Sequence, residues 1–385
     1  MSEPSAVPGL FWSRFRRVTS SGSYRPELDG IRFVAIAFVF ACHLNKDIVR
    51  HSAPAFTASL AQSSLFQLVS GLNLGVQLFF VLSGFLLGLP FARAYLAGGP
   101  AVRLKSYLLR RVTRLEPPYI AALILFFFLK ILGSRGSFFE LLPHLGASLL
   151  YAHNQIFGRQ SDINVVSWSL EVEVQFYLLV PLLAFVLFQI RWRLARRIGI
   201  ASLCVAAAVV ARSFPRDGSW NLSFAGQSAF FLAGLLLADV CCLQSRKRKP
   251  HFAWDLCCLT AFGCVLAARF YDSRWWVLSA LAMAVCYYAM FRGSWIRRIL
   301  SWLPIATIGG MSYSIYLLHN YVIALGGMVS ERTGATLPFG ARLAIQSAIL
   351  APLVLSVAAV FYLAIERPCM RPDWPARLRR GLARH

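Results

Sequence analysis

The sequence predicts an all-α protein, a polytopic transmembrane helix bundle of about ten spans. Hydrophobic residues fill 58% of the 385 positions and charged residues only 14%, against roughly 25% charged in soluble domains. Mean hydropathy is +0.60. Apolar runs of bilayer-crossing length recur along the chain, and Lys and Arg concentrate in every second segment between them. A water-soluble core has no place for this much apolar surface.

A hydrocarbon layer of about 30 Å asks for roughly 17–25 helical residues. Runs of that order fall at 29–46, 72–96, 112–132, 168–190, 196–213, 224–243, 253–271, 274–291, 300–325 and 342–365. The stretch 138–152, "FFELLPHLGASLLYA", is too short and too polar to cross, and reads as an interfacial or re-entrant piece. With the N-terminus in the cytoplasm, the inner segments carry more Lys and Arg than the outer ones, with a single tie, so both termini are expected inside. This bias accounts for the net charge of +23 without a nucleic-acid partner. The expected division is a cytoplasmic segment over 1–28, a membrane domain over 29–366 and a basic cytoplasmic tail over 367–385. The first 27 residues have no apolar core of the kind a cleaved leader needs. Nine cysteines include two adjacent pairs but no C-x-x-C, and most lie in apolar runs. They behave as small hydrophobes, so neither a disulfide nor a metal site is expected.

Within the first run, "LDGIRFVAIAFVFACHLNKD" (28–47), an arginine and a histidine interrupt an apolar helix. Arg32 and His43 are eleven residues apart, about 20° from a whole number of turns, so they share one face about 16 Å apart along the axis. Ionisable groups at membrane depth generally face a bundle interior or a watery cavity. Arg32 also has the option of snorkelling to the inner interface. His43 lies deeper, where a neutral imidazole suits proton transfer near neutral pH or a hydrogen bond to a neighbouring helix.

In "SYLLRRVTRLEPPYIAAL" (106–123), Arg111 and Arg114 are spaced i,i+3 on one face, just before a proline pair expected to open the third span. They serve either as topology anchors or as a phosphate clamp, since guanidinium forks match phosphate oxygens. In "SWSLEVEVQFYLLVPLL" (167–183), Glu173 and Tyr177 share a face. Glu173 falls at a depth comparable to His43, and a contact between them would orient the ring. Glu171 points elsewhere and reads as a helix-start cap. Asp239 reads as facing the inner interface, and His319 as bonded to a serine or a backbone carbonyl. Ser83 and Gly84 read as small packing residues.

Five motifs in order, "RPELDGIRFVAIAFVFACH", "LFFVLSGFLLG", "RRVTRLEPPY", "WSLEVEVQFYLLVPLL" and "SYSIYLLH", resemble the integral-membrane acyltransferase 3 family, whose members include O-acetylases of lipopolysaccharide O-antigen, Nod factors and other bacterial glycans. The resemblance spans Arg25 to about Glu366. It implies a bacterial inner-membrane enzyme that moves an acyl group, most simply acetyl, from cytoplasmic acyl-CoA to a hydroxyl of a carbohydrate or lipid-linked glycan. It implies catalytic roles for His43 and Glu173, donor-binding roles for Arg32, Arg111, Arg114 and Tyr177, acyl-CoA as the only cofactor-like molecule, and no metal. Glu116, Glu171 and Val174 depart from the family's usual residues and inherit no role. Some relatives add an extracytoplasmic hydrolase-like domain; it is not seen here, so a second transfer step is expected to need another protein. A transporter or flippase using Arg, His and Glu as an ion relay is the competing class, but it predicts internal repeats that are not seen. A lipid-linked glycosyltransferase would be expected to carry acidic metal-binding clusters in its inner loops, which here are almost purely basic.

Overall fold

The computed structural model describes residues 15, 17, 24–60, 62–214, 219–243, 249–270, 274–334, 337–370 and 374. Most of the expected N-terminal segment and basic tail lie outside these residues. Among the described residues every regular element is helical. In chain order they are α1 (Pro26–Arg50), α2 (Pro54–Leu60), α3 (Ser64–Gly71), α4 (Gly75–Leu96), α5 (Leu104–Leu132), α6 (Phe138–Leu149), α7 (His153–Phe157), α8 (Trp168–Phe188), α9 (Arg193–Arg212), α10 (Phe224–Cys242), α11 (Phe252–Phe270), α12 (Ser279–Met290), α13 (Trp295–Leu300), α14 (Leu303–Gly310), α15 (Ser312–Gly334), α16 (Phe339–Phe361) and α17 (Arg367–Cys369).

Among the described residues, seven helical segments are long and apolar enough to cross a membrane: α3 with α4, α5, α8, α9, α10, α11, and α16 with the turns that follow it. Three expected spans differ from this simple type. The first, α1, is a 25-residue helix that runs through the interior, with Ile31, Ala35, Ile36, Val39, Leu44 and Ile48 all buried. The eighth is a shorter apolar stretch, Trp275–Met290. The ninth, expected as one helix over 300–325, is divided among α13, α14 and α15. Pro304, which has no N–H to continue an α ladder, opens α14 after an extended Trp302. A glycine pair, Gly309 and Gly310, closes α14.

The proline pair of the third span corrects the sequence reading in the other direction. Pro117 and Pro118 lie inside an unbroken α5 instead of opening a helix. Proline is tolerated within membrane helices, where neighbours re-satisfy the freed carbonyls. Pro117 leaves the Thr113 carbonyl without its helical N–H, and Trp374 Nε1 donates to that carbonyl at 2.9 Å. Arg111, Arg114 and the span below them therefore belong to one rigid rod.

The helices sort by which face meets protein. On α8, Leu178, Leu182, Phe185 and Val186 are exposed at spacings of three and four, a continuous apolar stripe suited to lipid. Its other side buries Val172, Phe176 and Val180. Gly84 of α4 and Gly234 of α10 face each other so closely that a Cβ on either would strike the opposite backbone, the close approach that small residues permit between membrane helices. Helix α6, 12 residues long or about 18 Å, is too short to span. It begins with a reciprocal cap in which Glu140 N donates to Ser137 Oγ at 3.3 Å and Ser137 N donates to Glu140 Oε2 at 2.8 Å.

Asp239 does not face an interface. It is fully buried and holds two arginines, Arg196 through Nε and Arg197 through Nε at 2.6 Å, while Arg196 also donates to the Ile190 carbonyl at 2.6 Å. This pins the start of α9 to the end of α10. Removing one member of a buried ion pair strands its partner, at about 3–5 kcal/mol. Asp239→Ala is accordingly expected to lower the detergent-solubilised protein's stability by that amount, read as a lower unfolding midpoint, whereas Arg197→Ala, at the more exposed partner, costs much less.

Candidate active site

Two cavities lie back to back. The first, about 120 Å³, is walled by α1, α4, α5, α8 and the 310–316 region, and four arginines line it: Arg17, Arg32, Arg111 and Arg114. Arg32 and Arg17 both reach the buried carboxylate of Asp29, Arg17 at 3.3 Å. Arg114 Nε is buried and has no hydrogen-bond partner among the described residues. Two carboxylates share the cavity, Glu173 and Glu366. Glu366 sits in a π-type turn, Tyr362–Glu366, a distortion that recurs at functional sites. It accepts from Ser314 N at 3.0 Å and from Ser314 Oγ at 2.5 Å. With Asp29 behind two of them, the four guanidiniums stand against three carboxylates, so the cavity keeps a net positive lining.

The second cavity, about 630 Å³, contains His43. His43 Nδ1 donates to Asn320 Oδ1 at 2.7 Å, which leaves Nε2 as the basic nitrogen. The ring of His319 packs edge-on against it, centroids 4.9 Å apart. His319 is itself fixed, donating from Nδ1 to the carbonyls of Ile315 and Tyr316 at 3.1 and 2.8 Å, and its buried Nε2 is unpartnered among the described residues. Val76 and Tyr316 line both cavities and form the waist between them. Tyr316 Oη donates to the Val166 carbonyl at 3.0 Å and pairs with Ser169 Oγ at 2.6 Å, so the ring at the waist is anchored.

The structure brings Arg32, Arg111, Arg114, Glu173 and Tyr177 to one cavity and places His43 in the next. The expected contact between Glu173 and His43 is not formed. Glu173 Oε1 instead accepts from Ser83 Oγ at 2.6 Å, on the side where the guanidinium groups offset its charge, and Asn320 takes its place as the partner of the imidazole. Ser83 thereby has a polar task beyond packing. Glu171 is buried and accepts from Asn154 N at 3.0 Å, capping the neighbouring α7 instead of its own helix. Glu116 borders an adjoining cavity of about 70 Å³ that also touches Arg111, Glu173 and Tyr177.

Arg17, Glu366 and Asn320 were not legible as site residues. Arg17 reads as one more inner-side cation, and Glu366 as the end of an apolar run. Asn320 directly follows His319 at the end of "SYSIYLLH", the one local signal that was available. Among the described residues, metal-type donors gather at His144, His153 and Asp162. They already bond one another: His144 Nδ1 to His153 Nε2 at 2.9 Å and His144 Nε2 to Asp162 Oδ2 at 3.2 Å, with Arg159 clamping both oxygens of Asp162 at 2.5 and 2.6 Å. Burial lowers the basicity of His153. The cluster stitches the loop ahead of α8 and lines neither cavity.

The site is thus an arginine-lined cavity beside a chamber with an oriented imidazole, held within a bundle of membrane-type helices. The chain belongs to the Acyltransferase domain family (Acyl_transf_3), whose family model matches residues 25–365. It is 27% identical over 349 residues to the peptidoglycan O-acetyltransferase OatA of Listeria monocytogenes, covering 83% of this chain and 52% of that protein. It is 28% identical over 349 residues to a provisionally named peptidoglycan O-acetyltransferase, YrhL, of Bacillus subtilis, covering 81% and 51%. A provisionally named O-acetyltransferase of Staphylococcus aureus (strain MSSA476) is 26% identical over 332 residues, covering 78% and 51%. The chain thus spans about half the length of the curated relatives it matches. No solved structure matches it significantly. Family membership favours acyl transfer over the transporter class.

Proposed function

We propose that the protein is a bacterial inner-membrane O-acyltransferase that carries an acyl group, most simply acetyl, from cytoplasmic acyl-CoA to a hydroxyl of a cell-surface glycan. What supports this assignment is the adjacency of the two cavities along one helix, with Arg32 in the first and His43 in the second. Ten membrane crossings with both termini inside would put the arginine cavity on the cytoplasmic side. There Arg17, Arg32, Arg111 and Arg114 hold the phosphates of coenzyme A through charge-assisted hydrogen bonds. Tyr177 borders the bound donor, and the pantetheine arm passes the Val76–Tyr316 waist. The roughly 16 Å from Arg32 to His43 along α1 is of the order such an arm covers.

His43 Nε2 takes the proton of the acceptor hydroxyl as that oxygen attacks the thioester carbon. The C–O bond forms, the C–S bond breaks, and the thiolate of coenzyme A leaves and receives the proton from the imidazolium. Asn320 holds the ring so that Nε2 faces the chamber. Glu173, bonded to Ser83, tempers the charge of the arginine cavity, so that the pocket attracts the donor without trapping the product. A thioester is already activated, so alignment and one base carry much of the barrier reduction.

The test uses membranes containing the protein, incubated with acetyl-CoA labelled in the acetyl group and with cell-envelope glycans. Base-labile label in the glycan fraction, dependent on the protein, is the expected result. Hydrolysis of acetyl-CoA or proton flux without glycan labelling would overturn the assignment.

A further inference from the structure

The larger chamber carries charge that the chemistry of His43 does not use. On α1, Lys46 and Arg50 follow His43 at i+3 and i+7, on the same stripe of the helix, and both line the chamber. From the opposite walls Arg212, at the end of α9, and Arg269, at the end of α11, line it too. Arg269 Nε donates to Asn73 Oδ1 at 3.3 Å. Asp47 is the one acidic residue in the lining, and its carboxylate lies 3.6 Å from His51 Nδ1. Four permanent cations therefore stand against one carboxylate.

These positions fall at the outer ends of their helices in the topology expected from sequence. Positive charge is disfavoured there by the positive-inside bias, so orientation in the membrane does not explain them. Their shared property is that they face a cavity. The same wall supplies amides, Gln77, Gln160 and Gln227, and two indoles, Trp168 and Trp276, the mixture of stacking surface and hydrogen-bonding groups that suits a sugar.

We propose that the acceptor is an acidic glycan, bearing a carboxylate or phosphate on the sugar that is acylated or on its neighbour. This rests on the acyltransferase assignment and narrows its acceptor. The register of α1 sets the distance: Lys46 and Arg50 lie about 4.5 and 10.5 Å beyond His43 along the axis, one or two sugar lengths from the reacting hydroxyl.

The experiment compares acceptors of matched length with the protein in nanodiscs of neutral phosphatidylcholine: chitotetraose (neutral), tetragalacturonate (carboxylates) and chitotetraose 1-phosphate. At least one charged acceptor is expected to show a KM tenfold or more below that of chitotetraose, rising with salt as screened attraction requires. The two charged arms separate carboxylate from phosphate as the source. Arg50→Gln and Arg212→Gln are each expected to shrink that preference severalfold, with the dissociation constant for acetyl-CoA unchanged. Equal or better use of chitotetraose, or variants that weaken acetyl-CoA binding instead, would overturn the proposal. A second readout, equilibrium binding of fluorescein-labelled tetragalacturonate and chitotetraose 1-phosphate to the His43→Ala protein, separates this idea from the parent assignment. Salt-sensitive binding lost on Arg212→Gln, with no turnover by the native protein, upholds an acidic ligand and defeats acyl transfer. Turnover without any charge preference does the reverse.

Discussion

The His43→Ala protein is expected to lose acyl transfer by at least a hundredfold while still binding acyl-CoA. A positioned general base contributes about 10²–10⁴ in rate, and Nε2 of His43 is the nitrogen left basic by the Nδ1–Asn320 bond. The side chain lines the 630 Å³ chamber, so its removal enlarges an existing space. His43→Gln is the companion variant: it fills the volume but supplies no base, and the same loss is expected. The measurement is the initial rate of glycan acylation, with acetyl-CoA binding followed separately. Native-level acylation by either variant removes His43 from the chemistry. Loss of acetyl-CoA binding would instead assign it a structural role.

Arg114→Ala has the second large effect, on the donor. Each charge-assisted hydrogen bond to a phosphate is worth about 1.5–3 kcal/mol, so the acetyl-CoA dissociation constant is expected to rise roughly 10- to 150-fold. Arg114 is the clearest arginine for this test because its buried Nε has no protein partner among the described residues. Arg32 and Arg17 are tied to Asp29, and removing either also disturbs a buried carboxylate. Arg114 stands beside three other guanidiniums but also beside the carboxylates Glu173 and Glu366. Repulsion relieved and attraction lost oppose each other, so without ligand the variant is expected to be about as stable as the native protein. The stabilisation that acetyl-CoA confers on the native protein, which grows as the logarithm of ligand concentration over Kd, shrinks in the variant. A variant destabilised without ligand yet binding acetyl-CoA normally would show that Arg114 holds the helices together and does not clamp the donor.

Most of the site's components were legible because a helix's geometry is local. Arg32 and His43 share a face through arithmetic on 3.6 residues per turn, and Arg111 with Arg114 likewise. The ninth span was misread because hydropathy averages over Pro304 and the Gly309–Gly310 pair, which break it into three helices. Pro117 and Pro118 were misread in the opposite sense, because a residue distant in sequence, Trp374, answers the Thr113 carbonyl that Pro117 leaves free.

By itself the sequence determined that the chain is a membrane helix bundle, where its apolar runs lie, and which ionisable residues share a helix face. Only the tertiary structure decided which of those residues meet. Glu173 went to Ser83, 90 positions away, and His43 to Asn320, 277 positions away; Arg17 and Glu366 entered a cavity that no local pattern marks. The physical reason is that lipid-facing and protein-facing sides of a membrane helix are equally apolar, so hydropathy carries little information about partners. Close packing and the pairing of buried polar groups choose them, and those are properties of helices brought together from distant parts of the chain.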